Sequence, residues 1–352
     1  MMKRDIVSML PEELEADFVQ LNAPKYRVMQ VFRWLGRGVR DFNEMSDLPK
    51  PFRDKLHENY RIYRPRVLKK QVSAIDGTIK YLWELADGQA VETVVMSYQH
   101  GNTVCISSQV GCRQGCAFCA STIGGLVRNL EPSEMLDEVL FSQLDSGKTI
   151  SNIVLMGIGE PLDNFEHVMR FLSLVNHPQG MNIGMRHISL STCGLTERFD
   201  ELAARDLQLT LSVSLHAPDD ETRSRLMPAN RGRGVDQLME SCKAYYKKTG
   251  RRISFEYAMI DGVNDSERHA RLLAERAKAV NAHVNLIPLN HVEERQFRPS
   301  TTGHMKAFIH ILEDKGVNVT VRRRLGSDVD ASCGPLRRKN QNQIVCTEGE
   351  KH

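Results

Sequence analysis

The sequence predicts an α/β protein built on a parallel sheet, and three observations carry that prediction. From Thr103 onward, short β-rich segments alternate with helical ones, the pattern of right-handed βαβ units. The residues before that point behave differently, reading first as helices and then as a hairpin. Finally, the residues best suited to chemistry fall in loops that directly follow predicted strands, where parallel α/β folds keep their sites.

The elements follow in order. Pro11 to Gln20 opens with Pro-Glu-Glu, a good helix start. Tyr26 to Leu35 carries apolar residues at helical spacing. Leu48-Pro49-Lys50-Pro51 breaks the pattern, and another short helix runs to about Tyr60. Residues 1–62 are therefore expected to form a small helical module that docks on a nucleic acid or a larger domain. Thr78–Leu85 and Ala90–Met96 read as strands joined at Asp87-Gly88, a turn signal. They predict a β-hairpin linker over 63–97.

The main domain is expected over 98–325, and 326–352 form a C-terminal segment. Its strands are predicted at Thr103–Ser108, Asn152–Met156, Arg186–Ser191, Gln208–Leu215, Arg252–Met259, His283–Pro288 and Val317–Arg323. Between them lie helices at about 133–146, 165–175, 196–204, 219–226, 234–248, 266–279 and 302–315. In a parallel sheet, loops after successive strands share one rim. That rim would gather the cysteine-rich string after the first strand and Gly157-Ile158-Gly159-Glu160-Pro161 after the second. It would also hold Thr192-Cys193-Gly194, His216-Ala217-Pro218 and Asn290.

With 352 residues, 41% of them hydrophobic, the chain has ample material for a large core. Charged residues make up 26% with both signs mixed, which excludes a disordered, collagenous or disulfide-dense protein. No apolar run reaches the roughly 18–20 residues that span a bilayer, and no membrane partner is expected. The N-terminus turns acidic where an export signal would turn apolar, so a cytoplasmic location is expected. The net charge of +3 decides little. Basic residues cluster at Arg64, Arg66, Lys69 and Lys70, at Arg322, Arg323 and Arg324, and at Arg337, Arg338 and Lys339. Such runs suit phosphate contacts.

Of the eight cysteines, Cys112, Cys116 and Cys119 fall within eight residues as C-x3-C-x2-C. Structural zinc sites and fully ligated iron–sulfur clusters take four ligands. Three cysteines on a four-iron cluster leave one iron open to a small molecule. The alternatives are a zinc site completed by Cys105 or a distant histidine, and a thiol triad without metal. Gly159-Glu160 suits an amino group, Gly allowing close approach and Glu supplying charge.

The strings CISSQVGCRQGCAFCAST, MGIGEPLDN, RHISLSTCG, SVSLHAP, RLMPANR, GVND, HVNLIPLN and DASCG occur in this order over nearly the whole chain. They resemble the radical S-adenosylmethionine (SAM) superfamily, and within it the RlmN-type ribosomal RNA adenine-C2 methyltransferases. The resemblance implies a partial (β/α)6 barrel. It implies a [4Fe–4S] cluster on Cys112, Cys116 and Cys119, and a SAM pocket formed by Gly159, Glu160, Ser191, Ser214, Leu215, His216 and Asn290. It further implies that Cys333 carries the methyl group as S-methylcysteine and that Cys105 forms a transient disulfide with it. Glu92 matches the proton acceptor, and two SAM molecules are consumed per turnover. Adenine C2 is electron-poor and cannot attack a methyl sulfonium directly, which accounts for radical chemistry.

The implied partners are 23S rRNA and tRNA, with an electron donor such as flavodoxin or ferredoxin, acting on a monomer. The adenine must be presented unstacked. A related alternative is C8 methylation of the same adenine, as in the chloramphenicol–florfenicol resistance enzymes. Alternatively, the chain is a zinc-stabilised RNA-binding protein without catalysis. Pro335 stands where the family usually has Gln, removing a backbone donor beside the carrier cysteine.

Overall fold

The computed structural model describes residues 3–290, 292, 294–329 and 336–337. Cys333, Pro335, Arg338 and Lys339 lie outside the described residues.

The N-terminal unit holds three helices, α1 (Pro11–Gln20), α2 (Tyr26–Gly36) and α3 (Lys50–Asn59). Two short strands, β1 (Arg4–Asp5) and β2 (Tyr60–Arg61), pair in parallel and close it. Its core is apolar, with Leu14, Phe18, Val31, Phe42 and Leu56 buried. Arg64 fastens the unit to the rest of the chain. Its guanidinium donates to the carbonyls of Leu35, in the last turn of α2, and Val39, just beyond it, and pairs with Asp137 at 2.5 Å. Arg64 is 4% exposed, so it is a buried latch and not the phosphate contact its basic neighbours suggested. Removing either partner of such a pair would strand a charge away from water.

A ten-stranded sheet organises the remainder. Its antiparallel part is β3 (Arg66–Val72), β4 (Ile79–Glu84) and β5 (Ala90–Tyr98). Then comes β6 (Gly101–Cys105), followed by a separate small hairpin of β7 (Gln109–Gly111) and β8 (Leu126–Asn129). The parallel part continues with β9 (Ile150–Leu155), β10 (Ile188–Thr192), β11 (Thr210–Ser214), β12 (Ser254–Met259), β13 (His283–Pro288) and β14 (Val319–Val321). Helices α4 (Pro132–Ser146), α5 (Phe165–Asn176), α6 (Phe199–Ala204), α7 (Asp220–Leu226), α8 (Gly234–Thr249), α9 (Glu267–Ala279) and α10 (Thr302–Asp314) make the crossovers. The strand order is β14-β13-β12-β11-β10-β9-β6-β5-β4-β3. Seven strands, β6 and β9 to β14, run parallel and in sequence order, as a partial barrel requires.

The expected hairpin is present, with a third strand beside it. It is not a detached linker, because β5 pairs with β6 over five register pairs and extends the main sheet. The small β7–β8 hairpin was not foreseen, because its strands are too short to show a period.

Side chains alternate across each parallel strand. Leu190, Leu211, Val213, Phe255, Tyr257, Val284 and Leu286 are 0% exposed and pack with the helices. Each such residue contributes about 1.5–3 kcal/mol by its burial. The other face is polar, presenting Ser189, Ser191, Ser212, Glu256 and Asn285 to the lumen. Among the described residues no helix is long and apolar enough to cross a membrane.

Candidate active site

The three cysteines sit in a loop tied shut at its base. Gly111 has φ +80°, and a Cβ there would lie 2.0 Å from the Gly125 carbonyl oxygen. That close approach lets the Cys112 N–H donate to Gly125 at 3.0 Å. At the tip, the Cys119 N–H donates to the Cys116 carbonyl, and Thr122 Oγ1 donates to the carbonyls of both cysteines at 3.2 and 3.0 Å. Arg295 donates to the Cys119 carbonyl and to Thr122. None of the three is in a disulfide. Burial pushes the Cys112 thiol up to about 12 and raises that of Cys116 as well.

Thiols in this state are protonated until a metal displaces the proton. A single zinc ion would draw its sulfur ligands to about 2.3 Å. Among the described residues the group gathered closely enough for one ion is Asp261, Asp265 and His304, not the cysteines. Three backbone-anchored thiols in one loop, close enough for their charges to act on one another, fit a cluster that takes three ligands from the protein. Asp265 is already occupied, accepting from Ser300 Oγ at 2.6 Å and from the Gly262 N–H.

The rest of the rim is packed just as closely. A Cβ on Gly157 would meet the Ile106 carbonyl oxygen at 2.5 Å, and one on Gly159, φ +112°, would meet Ser108 Oγ and Gln109 at 2.7 Å. The β9 loop therefore lies directly on the chain leaving β6. Glu160 is buried, and its two oxygens accept from the N–H groups of Leu162 (3.0 Å) and Cys193 (2.7 Å). Burial raises its pKa, opposed by those two bonds.

His216 adopts φ +53° and is buried. Its Nδ1 accepts the Ala258 N–H at 2.9 Å, and Phe118 of the cysteine loop meets its ring edge-on at 4.9 Å between centroids. Burial first, and then the Arg223 charge, bring its pKa down to about 3. The Leu215 and His216 N–H groups both donate to the Glu256 carbonyl. Asn264, from the GVND string, donates to the carbonyls of His216 and Ala258 at 2.6 Å each. Ser191 and Ser214 are half-buried at the ends of β10 and β11. Asn290 follows β13 at the same end of the sheet and is exposed.

Two other candidates stand on the lumen face in mid-sheet. Cys105 is 4% exposed and lies opposite Val94 of β5. Glu92, two residues before Val94, lies opposite Leu82. It is 2% exposed, with Lys80 Nζ at 2.9 Å and the Arg337 N–H donating to its other oxygen at 2.7 Å. Arg337 is thus buried against the hairpin, and the phosphate-contact reading of its cluster does not hold for it. Leu336 packs with Leu82 and Ala90. The described residues after Cys333 therefore dock on the strands that carry Glu92. Beneath the rim the lumen holds a cavity of about 540 Å³, lined by Thr103, Ser212, Glu256, Asn285 and Arg322 among others.

The sequence placed Cys193 on the rim without assigning it a catalytic role, and the structure shows its backbone N–H orienting Glu160. It also missed Lys80 and Asn264. Lys80 has no motif of its own and is found only through the β4–β5 register.

Comparison with known proteins agrees with this geometry. The Radical SAM superfamily model matches residues 106–273, and the ribosomal RNA large subunit methyltransferase N-terminal domain model matches residues 4–62. A probable dual-specificity RNA methyltransferase RlmN from Alkaliphilus metalliredigens is 48% identical over 337 residues, 96% of each chain. One from Desulforamulus reducens is 50% identical over 332 residues, covering 94% of this chain and 95% of that protein. Among solved structures, a radical SAM methyltransferase from Sphaerobacter thermophilus superposes with a TM-score of 0.89 at 40% identity, covering 94% of this chain and 98% of that one.

Proposed function

The chain belongs to the RlmN family of dual-specificity RNA methyltransferases in the radical SAM superfamily, and on that premise we propose that it methylates C2 of adenine 2503 in 23S rRNA and of adenine 37 in tRNA. RNA is its substrate class, and the superfamily implies a [4Fe–4S] cluster and SAM. The observation that carries the finer reading is the placement of Cys105. It is a buried cysteine on the lumen face, opposite Val94 two residues after Glu92, and on the same sheet as the docking site of Leu336 and Arg337. A generic radical SAM enzyme has no need of a second thiol there.

Cys112, Cys116 and Cys119 would hold the cluster, which when bound supplies the single electron that cleaves SAM. Gly159 and Glu160 would face the SAM amino group, with Ser191, Ser214, Leu215, His216 and Asn290 completing the pocket. Cys333 takes a methyl group from one SAM by polar displacement, forming an S-methyl thioether. A second SAM provides the acceptor for one methyl hydrogen, so two SAM are used per turnover. The remaining methylene radical adds to adenine C2 and links protein to RNA, and the adduct would return one electron to the redox chain that supplied it. Glu92, fixed between the Lys80 ammonium and the Arg337 N–H, takes the C2 proton. The Cys105 thiolate then attacks the Cys333 sulfur; an S–S bond forms, the C–S bond breaks with its electron pair left on carbon, and a proton taken up at that methylene completes the methyl group as the base leaves. The flipped adenine would occupy the polar lumen. The N-terminal helices and the Arg323 and Arg324 region would contact RNA phosphates. An external flavodoxin or ferredoxin would supply electrons to a monomeric, cytoplasmic enzyme.

The test is anaerobic turnover with methyl-deuterated SAM and an RNA fragment, read by mass spectrometry. The expected product carries two of the three methyl deuteriums on C2. Retention of all three contradicts the thioether route, and label on C8 assigns the chain to the antibiotic-resistance chemistry. In the Cys105→Ala variant, protein covalently joined to RNA should accumulate.

A further inference from the structure

Behind the cysteine loop sits a buried cation with no carboxylate in contact. Arg223, on α7, is 2% exposed. Its Nε donates to the Leu215 carbonyl at 3.1 Å, and Nη2 donates to the carbonyls of Cys193 (2.7 Å) and Ser214 (3.2 Å). Nη1 donates to Asn230 Oδ1 at 2.7 Å. These bonds satisfy donors without neutralising charge. Among the described residues no carboxylate is paired directly with Arg223, and Asp220 is reached through Asn230, whose Oδ1 accepts from Arg223 and whose Nδ2 donates to Asp220. An arginine charge removed from water costs several kcal/mol unless a counter-charge is supplied.

The surroundings indicate where that counter-charge belongs. One turn after Arg223, the Leu226 carbonyl accepts the Ala117 N–H at 2.8 Å, between Cys116 and Cys119. Pro228 packs against Gly115 in the same loop. Cys193, whose carbonyl Arg223 holds, gives its N–H to Glu160. A carboxylate, a peptide group and a guanidinium therefore form one buried chain across the ends of β9, β10 and β11. The carbonyls of Ser214 and Leu215 lie in the segment assigned above to SAM.

We propose that Arg223 is a positioning residue of the cofactor site and its buried counter-cation: it ties the ends of β10 and β11 to α7 and sets a fixed positive charge behind the Cys112, Cys116 and Cys119 loop. This rests on the cluster reading of those cysteines. Three thiolates leave a [4Fe–4S] unit anionic, and reduction adds a further negative charge. A fixed nearby cation stabilises the reduced form and raises its potential.

The experiment uses the full chain, anaerobically reconstituted with iron and sulfide, in the absence of RNA. Redox titration followed by electron paramagnetic resonance reads the potential. The SAM concentration needed to change the reduced signal reads binding. Arg223→Gln removes the charge and should leave about tenfold less cluster reduced at a given applied potential, a shift of about 59 mV to more negative values for one electron. Arg223→Lys keeps the charge but cannot span three carbonyls; its potential should match wild type while SAM binding weakens about tenfold. A merely structural role would lower the melting temperature of both variants and leave the potential unchanged. A Gln variant with the wild-type potential overturns the proposal. So does a Lys variant that shifts the potential as far as Gln, or one indistinguishable from wild type in SAM binding. Should Gln not fold, the Lys variant decides by the same two readouts. Wild-type protein that takes up no iron would instead defeat the cluster reading itself.

Discussion

In the parallel half of the sheet, the candidate residues stand at or just beyond the strand ends; in the antiparallel half, Glu92 and its partner Lys80 stand within their strands, on the lumen face. The loops are held by backbone. Glycines at 111, 157 and 159 let one segment lie on another at distances no Cβ allows, and N–H groups fix Glu160. The mid-strand residues are held by charge, with Glu92 and Lys80 burying each other's full charges. The two devices fail differently. A loop loses its shape when a methyl group intrudes, whereas a buried pair loses its balance when either member is neutralised.

The sharpest way to break this contrast is Lys80→Met, which removes the cation 2.9 Å from the buried Glu92 carboxylate. It should cost about 3–5 kcal/mol in urea unfolding, and the double variant Lys80→Met, Glu92→Leu should recover most of that. A double variant no more stable than the single one would mean that charge is not what holds this half. Next in size is Gly111→Ala, which sets a Cβ against a carbonyl at a positive φ. It should cost about 3 kcal/mol, the upper end for backbone strain, and lower iron content after reconstitution. An Ala variant with full iron and stability would remove glycine geometry from the account.

The rim also titrates. His216 has a folded pKa of about 3 against roughly 6.5 when unfolded. Its depressed value contributes stability that is complete above pH 6.5 and is lost as pH falls toward 3. By pH 5 the loss is about 2 kcal/mol. His216→Asn keeps an acceptor and tolerates the left-handed φ, so its stability should fall less between pH 7.5 and pH 5 than wild type does. Equal slopes would place the acid sensitivity elsewhere. The smallest expected effect concerns the β3–β4 turn, where Asp76 accepts the Gly326 N–H and Asp328 accepts the Ala74 N–H. Burial raises the Asp76 pKa, but its hydrogen bonds outweigh that and bring it down to about 2. Asp76→Ala should cost about 1 kcal/mol or less, read as a shift in the urea midpoint.

The same contrast explains what could be read in advance. The rim was legible because its chemistry is local: C-x3-C-x2-C, Gly-x-Gly-Glu and a strand before each loop are visible in a few residues. Alternating strands and helices likewise announced the parallel sheet, since each βαβ unit is written in consecutive sequence. The hairpin of the antiparallel half was legible from its turn and strand pattern, but its site residues only through the resemblance. A glutamate in a hairpin reads as a solvated acid, and its lysine partner becomes apparent only once β4 and β5 are in register. Arg64 and Arg337 misled for a related reason, because a basic cluster in one dimension does not show which member turns inward. Arg223 had no signal, as its ligands are backbone carbonyls from two strands outside its own segment.

A barrel that stops short of closure leaves two strand margins with spare hydrogen-bonding groups. At one margin, β14 offers only three residues. At the other, β3 is solvent-facing for most of its length, irregular between Val67 and Lys69, and studded with Arg66, Lys69 and Lys70. A foreign strand approaching that margin would meet cations and a kinked template, two features that discourage intermolecular zippering. The margins of the open barrel are thus guarded against self-association, and concentrated preparations should stay free of fibrous aggregates.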